Sequence, residues 1–163
     1  MKSSVNYKRK QGGMASLDKL IAVAAMVIGI MWLLSQQPKA EYNENLTLLQ
    51  MQVSDVKTAS RNWKKRGTYT GVSMAVLCTN SLLDDVLCSG TPGQNVNAFG
   101  GHLTIAVNST NPALRTIVVT IPNDADKVND IAATLANLTR DQCVSMTGCS
   151  TISVTGTSIT LTV

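Results

Sequence analysis

Between Leu20 and Leu34 the chain carries no charged side chain, and almost every position is apolar. A bilayer core takes about 20 helical residues to cross, so this run predicts a membrane-depth helix that needs flanking residues to complete the span. Pro38 lacks an amide donor and is expected to break or kink that helix. Beyond it, Tyr42, Leu46, Leu49, Val53, Val56, Ser60 and Trp63 recur at alternating steps of four and three, one face of an amphipathic helix. If residues 14–66 form one helix, it reaches about 80 Å at 1.5 Å per residue.

After the glycine-bracketed loop Gly67–Gly71, a short helix is expected around Ser81–Leu87, between Cys78 and Cys88. A further loop, residues 91–95, leads to Asn97-Ala98-Phe99-Gly100-Gly101. Two runs rich in β-branched residues follow, His102–Val107 and Leu114–Ile121, joined by Asn108-Ser109-Thr110-Asn111-Pro112, and read as a hairpin. Pro122-Asn123-Asp124 then opens a second helix, with Val128, Ile131, Leu135 and Leu138 on its buried face. From Thr151 to Val163 the pattern alternates around Thr155-Gly156-Thr157, a terminal hairpin. The expected class is α+β: a long N-terminal helix, hydrophobic in its anchor half and amphipathic in the other, packed on an antiparallel sheet head with a second helix. The chain divides into residues 1–13, an anchor at 14–37 and a globular head at 38–163.

Charge changes the picture at one end only. The 163 residues hold 14 Lys and Arg against 10 Asp and Glu. Lys2, Lys8, Arg9 and Lys10 all precede Gly13, and without them the two signs balance at ten each. The excess therefore acts as a positive-inside signal next to the apolar run, and no nucleic-acid partner is expected. Lys64-Lys65-Arg66 reads as a solvated helix end, where cations suit the carbonyl terminus. The four cysteines, Cys78, Cys88, Cys143 and Cys149, all follow the apolar run, and an even number in an exported domain reads as two disulfides. Three pairings are possible. The one favoured joins 78 with 88 and 143 with 149, since each closes a local loop. Their spacing does not suit zinc, and with His102 the single histidine no metal site is expected.

The junction between the two charge regimes carries the candidate chemistry. Gly12-Gly13 ends the basic segment, and Met14-Ala15-Ser16-Leu17-Asp18-Lys19 opens the helix. No A-x-A pattern follows the apolar run at residues 35–40, so an ordinary signal-peptide cut is not expected there. Asp18 is the unusual residue: a carboxylate at membrane depth costs about 2.5–3.5 kcal/mol on insertion scales, and adjacent Lys19 sits on another side of the helix.

Taken together, a basic leader ending in Gly, a following Met, an acidic residue five positions on and an apolar helix resemble the type IV prepilins. The start at Met14 is similar to the type IVb branch, in particular to major pilins of plasmid-encoded thin pili used in mating. Residues 97–101 resemble the Asn-x-Phe-Gly-Gly stretch that opens the sheet in many type IVb heads, and Cys143 after the second helix resembles them too. The resemblance implies a pilin fold, cleavage after Gly13 by a prepilin peptidase and N-methylation of Met14. It also implies a subunit-assembly role for Asp18, which meets the terminal amine of a neighbouring copy. Asp stands here where that family usually has Glu, one methylene longer, so the partner amine would sit closer or be held more weakly.

No phosphate loop, nucleophile elbow or H-E-x-x-H motif is present in the sequence, so neither enzyme activity nor a cofactor is expected. His102 reads as structural or exposed, and Asp84-Asp85 as a solvated pair pointing apart. The expected function is a structural subunit, a major pilin, of a type IVb pilus used for attachment or conjugative contact. Its partners would be other copies of itself, the prepilin peptidase and the inner-membrane assembly machinery. Its expected location is the bacterial inner membrane as precursor, then the surface pilus. The alternatives are a type II secretion pseudopilin, or a membrane-anchored extracytoplasmic binding protein that keeps residues 1–13.

Overall fold

A computed structural model of the protein describes residues 14–64 and 67–163, with side-chain surroundings at residues 21–32, 39–64 and 67–163. Gly13 lies outside the described residues, as do the side chains of Met14 and Asp18. The chain forms two compact units, Met1–Tyr42 and Asn43–Val163. Helix α1 (Met14–Lys64) supplies residues to both and runs on through Pro38, where a break or a kink was expected. One proline inside a helix costs about 3 kcal/mol, a local penalty that helical turns on both sides can outweigh.

In the first unit, every residue from 21 to 32 is exposed. Among the described residues no helix is long and apolar enough to cross a membrane. The described stretch of the apolar run is shorter than the ~20 residues a span takes, and the ends of the expected span lie outside it.

The second unit is an α+β head. Its sheet has four antiparallel strands in the order β1-β2-β4-β3: β1 (Leu103–Val107), β2 (Arg115–Thr120), β3 (Ile152–Thr155) and β4 (Ser158–Thr162). Both expected hairpins are present within a residue or two of their expected limits. In the first, Leu103 pairs with Val119 and Val107 with Arg115. In the second, Thr155 pairs with Ser158 across Gly156-Thr157, and Gly156 takes a positive φ of 58°.

Strand alternation sends Leu103, Ile105, Ile117, Val119, Ile159 and Leu161 inward, while Thr104, Ala106 and Ser153 face outward and are exposed. The inner face is closed by two helices. From α1 come Leu49, Val53, Val56 and Ala59, on the face that the four-three spacing picks out, with Ser60 also buried. From α4 (Val128–Leu135) come Val128, Ile131, Ala132 and Leu135, and α4 packs on β3 and β4. Each fully buried Leu, Ile or Val contributes about 1.5–3 kcal/mol of transfer free energy, so this two-layer core dominates the head's stability.

Two expectations are corrected in detail. The short helix expected around Ser81–Leu87 is replaced by two shorter ones, α2 (Met74–Thr79) and α3 (Asp85–Cys88). Ser73 starts α2 by accepting from the Val76 amide. A Schellman closure ends it, with Leu82 N donating to Leu77 O and Ser81 N to Cys78 O, and Ser81 at φ 53°. The second correction concerns the start of the second helix, which does not follow directly on Pro122-Asn123-Asp124. The chain enters α4 through a 3₁₀ turn, Ala125–Lys127, and leaves through another, Ala136–Leu138, where Leu138 is only half-buried.

Asn97-Ala98-Phe99-Gly100-Gly101 is a hydrogen-bonded knot at the entry to β1. The buried Asn97 donates to His102 O and Thr120 O and accepts from the Phe99 and Gly101 amides. A Cβ on Gly101 would stand 1.9 Å from Thr120 O, so only glycine fits against the neighbouring strand.

Candidate functional site

Both favoured cysteine pairings are present. Cys78–Cys88 and Cys143–Cys149 bridge Cα atoms 5.6 and 5.9 Å apart across sequence separations of 10 and 6. Loops this short give about 2–3 kcal/mol each in the chain-entropy account. The first bridge ties α2 to α3. The second closes a small loop whose first residue, Val144, is wholly exposed.

The first surface that could act on a partner is the apolar stretch of α1. Its eight large apolar side chains between Ile21 and Trp32 are 45% to 70% exposed. Exposure at every consecutive position from 21 to 32 covers all sides of the helix, unlike the single buried stripe further along α1. A helix apolar on all sides calls for an apolar surround.

The second surface is the basic end of the head. Arg115 opens β2 on its inward side and is buried. Its Nη1 donates to the Tyr69 hydroxyl and its Nη2 to Lys57 O at 2.9 Å, and its guanidinium lies 4.6 Å from the Tyr69 ring centre. Its Nε is buried without a partner. On the facing helix, Lys57, Arg61 and Lys64 line up at steps of four and three. Lys57 Nζ donates to Leu138 O at 2.7 Å, and Lys64 Nζ sits 4.3 Å from the Tyr69 ring centre. Lys64 is therefore half-buried and engaged; Lys65 and Arg66 lie outside the described residues.

Desolvation, then Arg61 and Arg115, push the Lys57 pKa below its ordinary value. Desolvation is also the largest effect lowering that of Arg115, partly offset by Tyr69. No carboxylate pairs with any of these four cations among the described residues.

The third feature is a cleft of ≈ 190 Å³ between α1 and the Cys78–Cys88 loop, lined by Asp55, Thr58, Asn62, Leu82 and Asp84 among others. Asp84 and Asp85 are exposed, as expected. His102 is also exposed; its Nδ1 accepts from the Asn95 amide at 3.2 Å, a structural role. Among the described residues no group of three or more His, Cys, Asp or Glu side chains could hold a metal ion.

Reading the sequence missed the Arg115–Tyr69–Lys57 cluster. Its one local signal is a cation in register with Ile117, Val119 and Ile121 on an inward strand face. No family model matches the chain, and neither a curated protein nor a solved structure matches it.

Proposed function

We propose that this protein is the structural subunit of a type IVb pilus, built on a pilin fold with one long N-terminal helix. Residues 1–13 form the leader, removed after Gly13, and Met14 becomes the methylated N-terminus. The observation that carries the reading is the helix stretch at residues 21–32, apolar and exposed on every side. Such a surface suits lipid before assembly and the helices of neighbouring copies afterwards. The junction motif and the α+β head, with its α1 stripe turned to the sheet, support the same reading.

Lipid tails are as apolar as the helix, so association gains little hydrophobic energy inside the membrane. Moving the helix into a filament exchanges lipid contact for subunit contact. A carboxylate carried into that setting costs several kcal/mol unless paired. The amine created at Met14 is a partner that exists only after cleavage, which couples maturation to assembly.

The variant Asp18→Ala tests this reading. It should be cleaved at Gly13 at the wild-type rate yet give few or no sheared filaments, with Asp18→Glu recovering them. Wild-type filament yield from Asp18→Ala would remove the role of Asp18. A protein that keeps residues 1–13 in the cell would instead favour a membrane-anchored binding protein.

A further inference from the structure

We propose that the head carries a saccharide-binding groove between α1 and the loop closed by Cys78–Cys88, suited to a short sugar. The inference goes beyond the filament reading and does not depend on it.

Two clefts lie on this flank of the head, of ≈ 190 and ≈ 350 Å³. Asn62 and Leu82 line both, so the two adjoin and form one groove. Small-molecule sites commonly span about 300–1,000 Å³, so the groove has room for a ligand of that kind. Its α1 wall carries Asp55, Thr58 and Asn62 at steps of three and four, hence on one helix face and spread over roughly 10 Å. Trp63, half-buried, lines the end beyond Asn62. The opposite wall is Asn80, Leu82 and Asp84, from the chain between α2 and α3.

That second wall is held in place without help from a ligand. The Cys78–Cys88 bridge ties its two ends, Leu82 N donates to Leu77 O, and Asn80 Nδ2 donates to Val76 O at 2.7 Å. A preformed wall lowers the ordering cost of binding. The polar groups facing the groove are by contrast free to bond outward. Among the described residues, the side chains of Asp55, Thr58 and Asn62 have no hydrogen-bond partner, and all three are exposed. Asp84 stands at the N-cap of α3, yet its carboxylate does not cap the helix.

The chemistry of the lining selects the ligand. Two carboxylates, two amides and a hydroxyl offer mostly acceptors, with Asn62 and Thr58 adding donors. Sugar hydroxyls donate and accept at adjacent carbons, which matches closely set side chains of this mixture. Trp63 and Leu82 supply apolar surface for the C–H face of a sugar ring. The same lining disfavours other ligands. An anion would meet Asp55 and Asp84. An apolar molecule would strip water from the polar groups without replacing their hydrogen bonds. A metal ion finds no third His, Cys, Asp or Glu beside the two carboxylates among the described residues.

The test titrates the full chain, in a detergent without sugar groups, with neutral, N-acetylated and acidic hexoses, their methyl glycosides and their disaccharides. A Trp32→Phe background leaves Trp63 as the sole tryptophan, so its fluorescence reads the groove. At least one of these sugars should change that fluorescence saturably, with a Kd of about 1 mM or tighter. Asn62→Ala and Asp84→Asn, both at exposed positions, should each weaken binding roughly five- to tenfold. Asp126→Asn, exposed and outside the groove, should leave it unchanged. Equal binding of a sugar and its methyl glycoside admits the end of a glycan chain, and loss of binding in the glycoside restricts the ligand to a free sugar; either supports the groove. No saturable response to any of these sugars, a response unaltered by both Asn62→Ala and Asp84→Asn, or a response to calcium alone would overturn the inference. Each of those results leaves the filament reading standing.

Discussion

A cation inside an apolar layer is tolerated when its donors are matched and its charge is offset. Arg115 meets the first condition incompletely: Tyr69 and the Lys57 carbonyl take two of its nitrogens, and Nε has no partner. Removing the Tyr69 hydroxyl would leave a second buried donor unmatched. Tyr69→Phe should therefore lower unfolding stability by about 1–3 kcal/mol, measured as a shifted denaturation midpoint; an unchanged midpoint would mean that water already solvates the guanidinium. The inward register of Arg115 is readable from Ile117 and Val119. Its partners are not, because they lie 46 and 58 residues away in the sequence and no local spacing links them. Asn97 is similar: the Asn-x-Phe-Gly-Gly stretch could be singled out, but Thr120 O, which both accepts its bond and excludes a Cβ on Gly101, comes from another strand.

Elements with a strong internal period were readable and those fixed by end geometry were not. The α1 stripe follows the four-three rule, and the structure buries Leu49, Val53 and Val56 as that rule requires. Both hairpins announce themselves through turn chemistry between β-branched runs. The residues around Ser81 have no such period. There α2 ends on backbone bonds from Ser81 and Leu82, a closure usually made with glycine and so not signalled by a serine. Neighbouring positions on α1 allow a sharp comparison. Leu49 is fully buried, whereas Leu48 is 44% exposed. Leu49→Ala should cost about 2–5 kcal/mol and Leu48→Ala within about 0.5 kcal/mol, both read from denaturant unfolding. Equal losses at the two positions would contradict the assignment of the core face.

For the whole molecule, the features that matter are a charge step and a hydrophobicity step falling at the same place. The basic excess ends before Gly13, and the apolar run begins a few residues later. A head held by its own two-layer core and two short-loop disulfides leaves that run exposed to whatever surrounds it. Removal of residues 1–13 would leave ten charges of each sign and create the amine proposed above as the partner of Asp18. The two steps were readable because they depend on composition and order alone, whereas the meeting of Arg115 with Tyr69 and the Lys57 carbonyl required the paths of α1 and β2. The most direct measurement is mass spectrometry of the N-terminal peptide from sheared surface filaments. The account predicts a peptide beginning at Met14 and heavier by one CH2, a methyl group having replaced a hydrogen on its amine. A peptide beginning at Met1, or absence of this chain from the sheared fraction, would contradict it.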